Sequence, residues 1–306
     1  MAANLRKTST TIVYIMGTGR SGTTILEVML SASDEACSVG ELTHIFRDGF
    51  GQNSVCACGR PFDHCELWGQ VEKRLLYSAL RVRQAAALFK DIDWHKGFLK
   101  LIFCSISPKK LDSYTRTNME LYKAVSDVSD KKVIVDSSKY PARALMLNRI
   151  YGKAVKTICL TRSPAGLLCA FTKTGIEQPA KPAFLTLVYY AYVLLCCRVV
   201  SVLGRNVLFL TFEELSAFPV ETIKKIENFT GLTFEPAKRK ILNDQAFKPG
   251  HIITGNRIRK NRAVFFQGRA KARYAVEAKH KPVLLLMMAF QKLFGFKMKG
   301  YETDER

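Results

Sequence analysis

The sequence predicts an α/β fold with a central parallel sheet flanked by helices. Three observations lead there. Short β-rich apolar runs recur along the chain, helical stretches alternate with them, and polar motifs stand at the carboxyl ends of the runs, where open parallel sheets gather their ligands.

Thr11-Ile12-Val13-Tyr14-Ile15-Met16 has no polar alternation after Thr11, the pattern of a strand covered on both faces. The loop Gly17-Thr18-Gly19-Arg20-Ser21-Gly22 follows, and residues 23 to 31 read as a helix. Gly51 to Gly59 is loop-like, Leu67 to Phe89 reads as one helix, and Asp112 to Val128 as another. Val133-Ile134-Val135 is a second strand ending at Asp136-Ser137-Ser138-Lys139, with a helix from Pro141 to Ile150. Thr157 to Leu160 is a third strand ending at Thr161-Arg162-Ser163-Pro164, and Val207 to Leu210 a fourth. Pro219 then suits a first helical turn, Val220, Ile223 and Ile226 share a face, and Gly231 is placed to end the helix. Ala183 to Leu203 is apolar for nearly a bilayer's thickness, but Arg198 and its tyrosines favour a buried core helix over a span. Val283 to Phe296, with Gln291 and Lys292, reads as amphipathic.

The 306 residues can bury one sizeable core; length alone leaves one or two domains open, and a single domain over 1–306 is expected. The first residues lack the charged-then-apolar layout of a secretory signal, and the expected compartment is the cytoplasm. Nine cysteines, an odd number, argue against a disulfide framework. Forty-seven Lys and Arg against 26 Asp and Glu give +21, which attracts anions at long range. Polyphosphorylated ligands, acidic glycans and peripheral contact with an anionic membrane fit that charge. Nucleic acid is not expected, because the basic stretch from Asn256 to Lys281 interleaves few aromatics, namely Phe265, Phe266 and Tyr274.

The loop matches Gly-x-Gly-x-x-Gly, with Glu41 near the distance of a ribose-binding acid, and so allows an NAD(P)-dependent oxidoreductase. It also matches Gly-x-x-x-x-Gly-Lys-Ser/Thr up to the lysine, where Thr23 stands, which counts against a nucleoside triphosphatase. What remains is a nest of backbone N–H groups at a helix start, with hydroxyls from Ser21, Thr23 and Thr24 and a guanidinium from Arg20. A third class, a non-enzymatic module for anionic glycans or lipid headgroups, rests on charge alone.

"GTGRSGTT" resembles the 5′-phosphosulfate loop of sulfotransferases that use 3′-phosphoadenosine 5′-phosphosulfate (PAPS), in the arginine-bearing form of Golgi-type, tyrosylprotein and many bacterial members. "VGELTHIF", "VIVDSSKYPARALML", "KTICLTRSP", "VLFLTFEELSAFPVETIKKIENFTGLTFEP" and "GHIITGNRIRKNR" resemble later segments of that family, in order, from about residue 11 to 265. The resemblance implies a P-loop NTPase-like sulfotransferase fold, PAPS as co-substrate and an acceptor hydroxyl, less readily an amine. It implies that Gly19, Arg20, Ser21, Gly22, Thr23 and Thr24 hold the phosphosulfate, Arg20 also steadying charge on the leaving oxygen. Arg162 and Ser163 belong to the 3′-phosphate region, as do Asn256, Arg257 and Arg259, the two arginines being assigned to the phosphate itself. The family's arginine is followed eight residues later by a serine, where this chain has Ala170, so Ser163, Thr172, Thr174 or basic groups alone must serve. Glu41 is the expected base, with His44 as its rival. Lys139 either neutralises the sulfate or pairs with Asp136.

Cys56, Cys58 and Cys65 lie close in sequence, with His64 adjacent and Cys37 a further thiol. Their spacing is no recognised zinc framework and shows no fourth ligand, so no metal is expected.

Overall fold

The computed structural model describes residues 10–173, 179–204, 206–255, 257–266 and 274–296. Five parallel strands form one sheet: β1 (Thr11–Gly17), β2 (Ala36–Gly40), β3 (Val133–Lys139), β4 (Val155–Thr161) and β5 (Val207–Thr211), in the order β2-β3-β1-β4-β5. β1 is central, its register running Met16 to Lys139 on one side and Gly17 to Leu160 on the other. Its carboxyl end is therefore flanked by the ends of β3 and β4, a topological switch point.

The helices are α1 (Thr23–Leu30), α2 (Trp68–Leu75), α3 (Ala79–Asp93), α4 (His95–Ile102), α5 (Pro108–Ser129), α6 (Pro141–Tyr151), α7 (Pro164–Thr172), α8 (Ala183–Gly204), α9 (Phe212–Ala217), α10 (Pro219–Thr230), α11 (Glu235–Leu242) and α12 (Lys281–Leu293). One apolar cluster, around Tyr14, Phe46, Phe89 and Val193, covers one side of the sheet; another, around Val13, Leu26, Ile158 and Ile226, covers the other. Strands buried on both sides explain their unbroken apolar runs.

Two expectations need correction. Residues 67 to 89 are two helices, because Leu76 turns left-handed at φ 51° and the Ser78 hydroxyl then caps a new helix by accepting from Arg81 N–H. The edge strand β2 ends just before Glu41. α8 buries Leu187, Tyr190, Val193, Leu194, Cys197 and Val200, packing against α6 and α12, while Phe184, Val188, Leu195 and Val202 face outward. Gln291 of α12, expected on its polar side, is buried instead.

Beneath the carboxyl ends lies a polar core. Arg143, fully buried, donates to Asp93 (2.9 Å) and Asp136 (3.0 Å), and Tyr122 donates to Asp136 at 2.6 Å. Tyr114 donates to Asp93 as well. The Asp93 carboxylate also accepts from the Thr43 hydroxyl at 2.9 Å, and the Ser138 hydroxyl accepts from Thr43 N–H at 3.1 Å. Buried charges are tolerable only when paired in this manner.

Candidate functional site

A cavity of about 580 Å³ opens above the carboxyl ends of β1, β2 and β3. Its size is that of a small-molecule site. Gly17, Gly19, Arg20, Gly22, Thr23 and Thr24 line one wall; Glu41, His44, Arg47, Asp48, Lys139 and Tyr140 line another; His95, Phe171, Lys181 and Tyr189 enclose it with Thr254, Gly255 and Ile258. Arg20, Arg47, Lys139 and Lys181 outnumber Glu41 and Asp48, so the lining attracts anions.

The loop after β1 owes its shape to local rules. Gly22, at φ 82°, starts α1, and a Cβ there would come within 2.5 Å of the Phe212 ring. Arg20 itself is left-handed at φ 67°. Thr23 and Thr24 open α1, and the start of a helix favours an anion. Two loop residues behave otherwise than expected. Ser21 is buried, its hydroxyl bonded to that of Thr18, and its side chain does not line the cavity. The Gly19 N–H donates to the Tyr189 hydroxyl at 2.7 Å, so α8 clasps the loop. Sequence reasoning missed the place of Tyr189 at the cavity, since nothing in an apolar helical run marks one tyrosine as facing this loop. Burial pushes its phenol up to about 12, so it stays a neutral hydrogen-bonding group.

Glu41 follows the last residue of β2. Gly40, at φ 74°, turns the chain beneath Ile253, whose carbonyl would stand 2.2 Å from a Cβ at that position. Ile253 carbonyl also accepts from Glu41 N–H at 3.1 Å. Beneath the turn, the Glu27 carboxyl of α1 accepts from Gly40 N–H (2.6 Å) and the Ser137 hydroxyl (2.5 Å). Glu27 was also missed. Its complete burial raises its pKa to about 8 despite those two bonds.

Lys139, left-handed at φ 73°, bonds Glu41 Oε1, not Asp136, which is engaged by Arg143, Tyr122 and Ser138. His44 Nε2 stands 3.7 Å from Glu41 Oε2, and its Nδ1 lies 3.2 Å from the Arg47 guanidinium. Arg47 can only donate, so Nδ1 accepts and Nε2 carries the hydrogen that faces Glu41. Burial lowers the His44 pKa, which keeps the ring neutral near pH 7. In this arrangement Nε2 turns a hydrogen, not a lone pair, towards Glu41. His95 is likewise held neutral by burial, with Lys181 adding to the effect; its Nδ1 is buried without a hydrogen-bond partner.

Among the described residues, none of those expected around a 3′-phosphate lines the cavity. Arg162 bonds the Arg20 carbonyl (3.0 Å) and the Tyr274 hydroxyl (3.2 Å) between the rings of Phe212 and Tyr274, bracing the loop from behind. Ser163 is the N-cap of α7, accepting from Gly166 N–H at 3.1 Å, and is buried. Thr172 spends its hydroxyl on the Leu168 carbonyl. Arg257 is exposed, and Arg259 turns to the Val55 carbonyl at 3.2 Å; neither lines the cavity, whereas their neighbour Ile258 does. Asn256 and Thr174 lie outside the described residues.

A family model described as the sulfotransferase family matches residues 13–236. Among solved structures, the chain is similar to the sulfotransferase domain from the curacin biosynthetic pathway, at 14% identity and a TM-score of 0.54, over 95% of this chain and 99% of that one. That likeness shows a shared fold. It is also similar to the sulfotransferase domain of a Synechococcus olefin synthase (17% identity, TM-score 0.48, covering 94% and 95%). Retinol dehydratase in a complex with retinol and PAP is a further match (16% identity, TM-score 0.36, covering 100% and 86%). No curated protein matches significantly.

Proposed function

Because the chain belongs to the sulfotransferase family, we propose that it transfers the sulfuryl group of PAPS to an acceptor hydroxyl within the cavity above β1. The observation that carries this reading is the meeting of an arginine-bearing anion loop, a carboxylate and a lysine, supplied by the ends of three adjacent strands.

In this reading the 5′-phosphosulfate rests on the N–H groups at the start of α1, with Thr23, Thr24 and Arg20 around it. Arg20 contributes a two-pronged donor, which a lysine could not. The acceptor oxygen attacks sulfur in line with the bridging oxygen. The S–O bond to the phosphate breaks, its electron pair leaving on adenosine 3′,5′-bisphosphate, and the acceptor proton passes to Glu41. Such a transfer spreads negative charge and bonds little to the protein, so positioning and electrostatics dominate. Lys139, already on Glu41, is within reach of that charge. His44 steadies the carboxylate through Nε2 and is not the base. Tyr140, His95, Phe171 and Tyr189 bring aromatic rings to the wall, with Lys181 over the rings of Phe171 and Tyr189, and suit an acceptor with both an apolar and a polar part.

Parallel titration with adenosine 3′,5′-bisphosphate, NADH and a heparin-like polymer tests the reading. Saturable binding of the bisphosphate alone is expected, weakened at least tenfold by Arg20→Ala. Binding of NADH alone restores the dinucleotide reading. Binding of the polymer alone, indifferent to Arg20→Ala, leaves the charged surface as the functional feature.

A further inference from the structure

The cysteine loop meets a histidine that lies far off in sequence. Cys56, Cys58, Cys65 and His251 present one ligand atom each, and all four atoms lie within 4.8 Å of one another. Cys65 Sγ is 3.6 Å from Cys56 Sγ, 3.7 Å from Cys58 Sγ and 3.2 Å from His251 Nδ1. Those sulfur separations are far beyond the roughly 2.05 Å of a disulfide. They agree with the edges of a tetrahedron around a metal with bonds of about 2.3 Å, which are roughly 3.8 Å long. A disulfide would also strand a third thiol and the imidazole.

The backbone is arranged to present these ligands. Cys56 N–H bonds the Arg60 carbonyl (2.9 Å) and Gly59 N–H returns to the Cys56 carbonyl (2.9 Å), closing a tight turn that aims Cys56 and Cys58 at one point. The nearby His64, adjacent to Cys65 in sequence, is instead exposed and bonded to Asp63. His251 is fixed from its other side, its carbonyl accepting from Trp68 Nε1 at 2.6 Å, and Ala57 N–H bonds the Ile252 carbonyl at 3.2 Å.

We propose that Cys56, Cys58, Cys65 and His251 form a closed structural site for a zinc ion. Three thiolates and one imidazole with no open position are the donor set of structural rather than catalytic zinc, and the soft sulfurs select against magnesium or calcium. The ion cross-links the loop of residues 53–65 to the segment 251–255. That segment carries Ile253, the acceptor of the Glu41 N–H, as well as Thr254 and Gly255 of the cavity wall. The site thus holds the cavity rim without entering it.

The test uses the full-length untagged chain, purified under reducing conditions without chelator. Elemental analysis of the unaltered protein is expected to give about one zinc per chain. Cobalt(II) added to the stripped, reduced chain should produce the visible bands of a tetrahedral thiolate site. Cys58→Ser and His251→Ala, both at positions with exposure, should each lower retained zinc several-fold, and His64→Ala should retain it. Removing zinc should lower Tm by several degrees. The proposal is overturned if the native chain carries no zinc and cobalt gives no tetrahedral spectrum. It is equally overturned if His64→Ala strips the metal while His251→Ala does not.

Discussion

The Glu41 backbone is held by the Ile253 carbonyl, so its carboxylate, the group that Lys139 contacts, can be altered while the backbone anchor is kept. Glu41→Gln is expected to lower turnover by at least about 10²-fold while bisphosphate affinity stays within a few-fold, separating proton transfer from donor binding. Equal turnover by the two proteins, in a radiolabelled sulfate assay with an identified acceptor, removes Glu41 from the reaction. Glu27 lies beneath it and carries a different prediction. Its pKa is about 8 in the folded chain against 4.5 for an ordinary glutamate, so the folded state holds the proton more tightly. Its stabilising share is therefore complete below pH 4.5, falls as pH rises towards 8, and levels off beyond, a change on the order of a few kcal/mol. Glu27→Gln keeps an acceptor for Gly40 N–H and a polar partner for Ser137. Denaturant melts at pH 6 and pH 9 should show a smaller loss of stability in the variant than in the parent; equal slopes would show that Glu27 does not titrate in this window.

At the scale of elements, the cavity depends on how strands end and helices begin. Ser163→Ala removes the cap of α7 and is expected to cost about 1 kcal/mol of unfolding free energy with little change in bisphosphate affinity. A large affinity loss would return Ser163 to the ligand. The strands at the sheet centre were legible because a parallel strand buried on both sides writes itself as an apolar run. Loop 17–24 was legible because few residue types can surround an anion at a helix start. The extent of β2 was not, since Ala36–Gly40 is a short edge strand with serine and cysteine in it. The break at Leu76 was not, since a leucine in left-handed conformation has no compositional signature. The contacts of Arg162, Ser163 and Arg259 were not legible for a related reason. A basic or hydroxyl residue beside a loop is equally suited to bracing it, and only the fold reveals which way the side chain turns.

Over the whole molecule, the charge of +21 and the cationic lining should make donor binding salt-sensitive. Raising ionic strength from roughly 0.05 to 0.5 M, where the screening length falls several-fold, is expected to weaken bisphosphate binding by about tenfold or more, readable by calorimetry. Arg143 is the other global determinant, since it joins α6 to β3 and to the end of α3. Arg143→Met leaves Asp93 and Asp136 buried without their cation and should destabilise the fold by roughly 3–5 kcal/mol. A fall under about 1 kcal/mol would mean that the tyrosine hydroxyls satisfy both carboxylates unaided.

Gly40 meets Ile253 in a bridge that spans most of the polypeptide. During synthesis, the first strand and its loop leave the ribosome long before their closing partner is made, and the nascent pocket stays open until residues past 255 clear the exit tunnel. Chains stalled or truncated short of that point should adopt much of the sheet yet capture no nucleotide, which makes ligand capture a late event in the life of each new molecule.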